Sequence, residues 1–320
     1  MPTTKAATAY EPRTESVGTS WEKLLTRNGN RAHLAVSNED TSNGGRYYLP
    51  SAESFDDPFC GNFDGGDDFV TVDALISHTK FAACAAGSIE GRVLVTADAT
   101  VKNIIGFADI SVAGTYLKFG FDTDEKLFAT AYLAGVEQWT VTADDATPAN
   151  GWVRVMLVHD AIRPSLYIDG ANVSQTRSGD FKTKWFSTLT GLDEVTIGAT
   201  PISGTEEEFY KGKIDWLQVR DLSEGGKISL AEWHFDDADV TAGTVTDHAA
   251  TNGVGEDTAL TAGALSSATL IEKSDGRIFI ANTTTEWDVE NAGDSSEISN
   301  TVWVKGDATI NVTVFETRRG

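Results

Sequence analysis

Between residues 55 and 235 the apolar positions recur at a spacing of two, in short runs divided by Gly, Asp and Asn. That spacing marks strands with one face turned to a core, since a helix would repeat its apolar residues every three to four positions. YLKFGF puts Leu117, Phe119 and Phe121 on one face, and LFATAYL does the same with Leu127, Ala129, Ala131 and Leu133. SLYIDG turns Leu166 and Ile168 inward, EVTIGA turns Val195 and Ile197 inward, and the turn-rich FDGGDD leads into a strand over 69–72. GWVRVMLVHD is apolar at both parities, which predicts a central strand covered on each side. KIDWLQVRD changes phase: Ile214 and Trp216 share one face while Leu217 and Val219 share the other, so a β-bulge is expected near Asp215. ISLAEWHF follows the turn at Gly225 and Gly226 as another strand. Regular turns without helical periodicity predict an all-β chain built on an antiparallel jelly-roll β-sandwich.

The pattern is weaker towards both ends. Residues 1–20 are polar and lack periodicity, as in an N-terminal arm that orders only against a partner. SWEKLLTRNGN suggests one helical turn capped by Ser20 and ended by Asn28 and Gly29, and RAHLAVSN reads as a strand. The Gly/Thr/Ala-rich stretch 238–267 reads as a loop or linker, followed by short strands in ATLIEK, RIFIAN, TVWVKG and ATINVTVFE. NGNRAHLAVSN and SDGRIFIAN echo one another, so the two ends are expected to make similar small β elements. The organisation expected is an arm with a small β element over 1–50, the sandwich over 51–240, a linker over 241–267 and a C-terminal β unit over 268–320.

Charge narrows the partners. Lys and Arg number 25 against 48 Asp and Glu, a net charge of −23, which repels phosphate backbones and anionic lipid, so neither nucleic acid nor membrane is an expected partner. Cys60 and Cys84 are too few for a disulfide framework and lack the spacing of a zinc or redox site, so both are expected to be buried as small apolar residues. The histidines at 33, 78, 159, 234 and 248 are scattered without metal-ligand spacing. Phosphate-loop, dinucleotide-binding and nucleophile-elbow motifs do not occur, and no cofactor is implied.

FDGGDDFVTV, WVRVMLVHD with RPSLYIDGANV, LDEVTIGA and FYKGKIDWLQVRDLS occur in this order between residues 55 and 235. In that order they resemble the successive signatures of the concanavalin-A-like, laminin-G-type jelly roll. AEWHFDDADVTAGTVTDH resembles the opening strand of such domains, yet here it follows the closing one, so either a rearranged strand order closes the sandwich or the chain keeps only the start of a second copy; the lack of a second SLYIDG-like hairpin favours the first. The resemblance implies glycan, peptide or calcium binding, polysaccharide hydrolysis in one branch, or a place among tailed-phage virion proteins.

Several residues could carry such chemistry. Glu286, Asp288 and Glu290 in EWDVE look like the alternating carboxylates of the glucanase branch, but they lie beyond the sandwich and beside a turn, which favours a solvated edge strand. FDGGDD, FDTDE and HFDDADV gather carboxylates of the kind calcium prefers, although aspartates in turns ordinarily bond their own backbone. Trp139, Trp152, Trp185, Trp216 and Trp233 fall within the sandwich, and most are expected in its core. Trp185, in the polar stretch FKTKWFST, is the candidate for an exposed ring that stacks on a sugar. The beginning MPTTKAATAY shows no apolar segment of a secretory signal. With the resemblance, this implies a non-enzymatic structural protein of a tailed-phage virion, a capsid decoration or surface fibre assembled in the host cytoplasm. It would sit on the virion surface as a homo-oligomer, contact other virion proteins such as the major capsid protein, and adhere weakly to cell-surface glycan. The alternatives are a tail receptor-binding protein and a glucanase-type polysaccharide hydrolase.

Overall fold

The computed structural model describes residues 59–235 except 79, 150, 203 and 224–227, with side chains save those of residues 59 and 74; elsewhere it describes the backbone of the strands named below and the side chains of Ser16 and Val17. The chain divides into two compact units, one of residues 59–271 and one of residues 1–58 together with 272–320.

In the first part of the discontinuous unit the strands are Thr8–Ala9 (β1), Arg13–Val17 (β2), Glu22–Leu25 (β3), Arg31–Asn38 (β4) and Gly45–Tyr48 (β5). The continuous unit follows with Phe59–Asp64 (β6), Phe69–Thr71 (β7), Gly87–Val95 (β8), Lys102–Ala108 (β9), Tyr116–Phe121 (β10), Leu127–Leu133 (β11) and Val136–Ala143 (β12). It continues with Trp152–His159 (β13), Pro164–Ile168 (β14), Ala171–Asn172 (β15), Gln175–Ser178 (β16), Glu194–Ile197 (β17), Thr200–Ile202 (β18), Thr205–Glu207 (β19) and Lys211–Asp221 (β20). Ile228–His234 (β21), Val240–Thr241 (β22), Thr244–Val245 (β23), Gly263–Ser266 (β24) and Thr269–Glu272 (β25) complete it. The chain then returns to the discontinuous unit with Arg277–Phe279 (β26), Thr284–Asp288 (β27), Val302–Gly306 (β28) and Ile310–Arg318 (β29).

The continuous unit is a sandwich of two sheets. One has the order β16-β12-β11-β10-β9-β17-β7-β24-β23-β22, the other β15-β14-β13-β8-β20-β6-β25 with β21 also on β20. Leu117, Phe119, Phe121, Val195 and Ile197 from the first sheet meet Ile89, Val93, Val155, Leu157 and Leu217 from the second, all fully buried. Removing apolar side chains of this size from water contributes about 1.5–3 kcal/mol each, which makes the period-two pattern decisive for this unit.

The expected bulge is present: the register of β20 against β8 shifts between Ile214 and Trp216. The shift leaves Asp215 buried and bonded to Arg92 Nη1 at 2.7 Å. β21 pairs with β20 from Trp216↔His234 to Asp221↔Ile228, so AEWH does extend the same sandwich after its apparent closing strand. Phe235 just beyond packs edge-on against Phe63 with centroids 5.8 Å apart. Cys60 and Cys84 are both buried, as expected.

Four expectations need correcting. β13 is central, between β14 and β8, but is not covered on both sides: Val153, Val155, Leu157 and His159 are buried while Trp152, Arg154, Met156 and Val158 are half-buried. The stretch assigned to a linker supplies β22, β23 and β24 to the larger sheet, beside β7, so the sandwich unit runs to residue 271 rather than 240. Where a helical turn was expected after Ser20, β3 pairs with β28. The arm is not solitary either, because β1 and β2 both pair with β29, more than 290 residues away at Thr8↔Arg318 and Arg13↔Val314. Strands that find their partners at the opposite end of the chain leave little local signal, which is why the two ends read as separate small elements.

Candidate functional site

The structure places Trp185 in the core, contradicting its expected role as an exposed sugar-stacking ring. Its side chain is fully buried, stacked on His159 at 4.9 Å between centroids and on Trp139 at 6.4 Å, and it lies against Phe186 at 4.5 Å. The polar neighbours in FKTKWFST lie on the loop surface while Trp185 and Phe186 plug the end of the core. Around them the backbone is fastened: Trp139 Nε1 donates to the Lys184 carbonyl at 2.7 Å. His159 Nε2 donates to the Lys182 carbonyl at 2.8 Å, and its Nδ1 accepts from Ala161 N at 3.2 Å. Burial holds the His159 pKa below its usual value, in keeping with a neutral ring. Trp139 and Trp233 are buried too, Trp216 nearly so, and Trp152 is half-buried beneath the Arg92 guanidinium, 4.7 Å from its ring.

A different aromatic pair lies on the other face of the larger sheet, where Lys118, Phe128 and Thr130 are buried and only Tyr116 and Tyr132 keep partial exposure. On β10 and β11 the inward parity is Leu117, Phe119, Phe121, Leu127, Ala129 and Ala131, so Tyr116, Lys118, Phe128, Thr130 and Tyr132 point the other way. The pairing sets Tyr116 opposite Tyr132, and their rings stack 4.9 Å apart at 22°. Both are half-buried. The turn after β11 fixes this end, because Gly135 N donates to the Gly114 carbonyl at 2.9 Å and Ala134 N to Thr115 Oγ1 at 2.9 Å. A short polar ridge continues on β12: the Tyr132 hydroxyl donates to Glu137 Oε2 at 3.3 Å, the Ser178 hydroxyl donates to Glu137 Oε1 at 2.7 Å, and Thr130 and Thr140 share a hydroxyl contact of 2.7 Å.

The opposite side is walled by the β18–β19 hairpin. Gly106 on β9 allows this close approach, because a Cβ there would lie 2.5 Å from Thr200 Oγ1 and 2.6 Å from Thr200 Cα. The chain leaves the hairpin through Glu208, whose φ of 56° is the left-handed region that non-glycine residues rarely occupy. Its carbonyl accepts from Asn103 N at 3.0 Å, and its Oε2 accepts from Lys118 Nζ at 2.5 Å and Asn103 Nδ2 at 2.6 Å. Lys118 thus sits 5.6 Å from the rings of both Tyr116 and Phe128 with its charge matched by Glu208. Asn103 Oδ1 and Thr200 Oγ1, close to this pair, are buried without a hydrogen-bond partner, a polar capacity that folding alone leaves unused.

Burial, then the neighbouring Tyr132, Glu208 and Glu137, push the Tyr116 hydroxyl up to about 12, and burial with Glu137 also raises Tyr132. Both phenols are neutral donors at physiological pH. Along the same row Glu194 lies beyond Tyr116, two strands over through Ala108. Burial, Asp73, Glu206 and Asp193 raise Glu194 to about 7, and it shares a hydrogen bond with Glu206. Flat rings flanked by hydroxyls and carboxylates suit a ligand with an apolar face and a polar rim, as a pyranose has. The signal for this site was in the sequence: aromatic rings at the otherwise polar parity of β10 and β11.

The carboxylate candidates fare differently. In FDGGDD, Asp64, Asp67 and Asp68 bring ligand oxygens within 4.8 Å of one another, a donor set that suits a hard cation. Two of the three already serve their own turn: Asp64 Oδ1 accepts from Gly66 N at 2.7 Å, and Asp68 Oδ2 accepts from Asp64 N at 2.7 Å. In FDTDE, Asp122 Oδ1 accepts from Asp124 N and Lys126 N, each at 2.9 Å, which makes this cluster a backbone turn. Residues 236–239 of HFDDADV lie outside the described residues. EWDVE is not in the sandwich: Glu286 and Asp288 lie on β27, the edge strand beside β4 in the discontinuous unit, and Glu290 lies outside the described residues.

The model of the family described as the concanavalin A-like lectin/glucanases superfamily matches residues 64–224 of the 320. No curated protein matches the chain in sequence. Among solved structures, the CBM40 module of the Ruminococcus gnavus IT-sialidase is similar at 16% identity, over 54% of this chain and 92% of that one, with a TM-score of 0.43. A Bacteroides ovatus protein named for carbohydrate binding is 11% identical over 82% of this chain and 93% of its own, with a TM-score of 0.45. The NanB sialidase of Streptococcus pneumoniae is 15% identical over 57% of this chain but only 26% of its own, with a TM-score of 0.38.

Proposed function

Because the chain belongs to the concanavalin A-like lectin/glucanases superfamily, we propose that its sandwich is a non-catalytic glycan-binding module whose binding face is centred on Tyr116 and Tyr132. The observation that carries this reading is the stacked, half-exposed tyrosine pair on the outside of a sheet whose other aromatic rings are largely buried. A ring stacked under a sugar contributes through dispersion and CH contacts, while nearby hydroxyls and carboxylates take the sugar hydroxyls. Glu137 and Glu208 are each held by two polar partners, an arrangement for positioning rather than for proton transfer. Glu194 has the raised pKa of an acid catalyst, but its proton is shared directly with Glu206, whereas a glycosidase keeps its two carboxyls about 5 Å or more apart. Tyr132→Ala tests the assignment by titration calorimetry against a glycan panel: binding should fall at least tenfold with an unchanged circular dichroism spectrum. Undiminished binding would place the site elsewhere.

The wider role that best accommodates this module is display on the surface of a tailed-phage virion, as a capsid decoration or surface fibre. There, many copies turn weak single-site adhesion into useful avidity. The discontinuous unit, formed by both ends of the chain, supports this reading, since attachment and glycan binding can then fall to different compact units, the sandwich being one uninterrupted stretch of chain. Contacts with a major capsid protein and self-association belong to the same proposal. Electron microscopy of particles with and without the protein tests it, and unchanged surface density would count against it.

A further inference from the structure

We infer that the Tyr116–Tyr132 face selects neutral glycans and excludes those bearing carboxylated sugars such as sialic or uronic acids. This rests on the glycan-binding reading above and adds the class of ligand. The row that crosses the sheet runs Glu194, Ala108, Tyr116, Tyr132, Glu137, so the aromatic pair has a carboxyl group at either end. The lysine beside it offers no open cationic site, because Lys118 Nζ lies 2.5 Å from Glu208 Oε2 and its side chain is only 10% exposed. Recognition of a sugar carboxylate ordinarily uses arginine in a bidentate fork. Arg92 and Arg154 lie on β8 and β13 of the opposite sheet, where each is already paired with a carboxylate, Asp215 and Glu90 respectively.

An acidic sugar placed over the tyrosines would therefore meet Glu137, while Lys118, the cation packed against Tyr116, is already matched by Glu208, whereas a neutral sugar can donate its hydroxyls to the Glu137 carboxylate. A hydrogen bond to an ionised acceptor contributes more than one between neutral groups, so the carboxylate favours the neutral ligand as well as opposing the anionic one. The net charge of −23 adds a long-range repulsion of the same sign.

The experiment uses the full chain and matched ligands: N-acetyllactosamine against its α2,3-sialylated form, and a galactose tetramer against a galacturonate tetramer, titrated at about 0.05 and 0.5 M salt. The neutral member of at least one pair should bind tenfold or more tighter than its acidic counterpart, about 1.4 kcal/mol. That gap should narrow at high salt, where the screening length falls to a few ångströms. Glu137→Gln should also narrow it, by improving the acidic ligand while the circular dichroism spectrum and melting temperature hold. Equal or tighter binding of the acidic member would overturn the inference. So would a gap that survives both salt and Glu137→Gln, since shape rather than charge would then be the cause. Absence of binding by every ligand is a distinct result, overturning the glycan-binding reading itself.

Discussion

Trp185 shows how a single side chain can be hidden by its neighbours. Its ring contributes to the core together with Trp139, His159 and Phe186, and truncation would leave a cavity at the end of the sandwich. Trp185→Ala should cost about 3–5 kcal/mol, measured by urea unfolding. Lost glycan binding at unchanged stability would instead restore its role as a surface ring. Glu194 offers a test with a defined pH window. Its folded pKa of about 7 lies above the ordinary carboxylate value, so the fold favours the protonated form. The stabilisation is fully present below about pH 4.3, the ordinary glutamate value, and is lost as pH rises through about 7. Glu194→Gln keeps the hydrogen bond and removes the charge, so its melting temperature should exceed that of the wild type at pH 8, with the difference closing by pH 5. Equal melting temperatures at pH 8 would show that Asp73, Asp193 and Glu206 do not act on Glu194 as the geometry indicates.

Among the elements, the β18–β19 hairpin links fold to site. It rests on Gly106 and delivers Glu208 to Lys118 and Asn103. Gly106→Ala would drive a methyl group into the Thr200 backbone, so the hairpin must shift at a cost of about 1–3 kcal/mol. Thermal unfolding should register that cost, and glycan titration should show weakened binding as Glu208 moves. Gly151→Ala is the matching control: a Cβ there meets nothing within 4 Å, and its stability should stay within about 0.5 kcal/mol of the wild type. A Gly106→Ala protein indistinguishable from this control would remove the hairpin from the site. The bulge at Asp215 was legible from a phase change in apolar parity, because a register slip moves every later side chain to the other face.

For the whole molecule, the division into a continuous and a discontinuous unit makes a direct prediction. Residues 59–271 expressed alone should fold with one cooperative transition and bind glycan as the full chain does, since the strands of the other unit pair only with one another among the described residues. Deleting residues 1–20 should leave this sandwich intact while removing two partners of β29, and the shortened chain should fail to join particles. Normal incorporation of the truncated protein would separate assembly from the discontinuous unit.

Alternating apolar residues in YLKFGF, LFATAYL and EVTIGA determined by themselves that the chain would make a sandwich, because a period of two buries one face of a strand whatever its partners are. The family order of the motifs was equally local, and so was the inward set Leu117, Phe119, Phe121, Val195 and Ile197, all of them buried. Only the tertiary structure decided what lies beside what. Pairing of β1, β2 and β4 with β29 joins the two ends of the chain, and no window of neighbouring residues contains that information. The same holds for the candidate site. Tyr116 and Tyr132 are 16 positions apart yet stacked, Glu208 reaches Lys118 across 90 positions, and Trp185 is buried by rings at positions 139 and 159. Local pattern reports which face of a strand is apolar; only the packing of distant strands decides which aromatic rings keep contact with water.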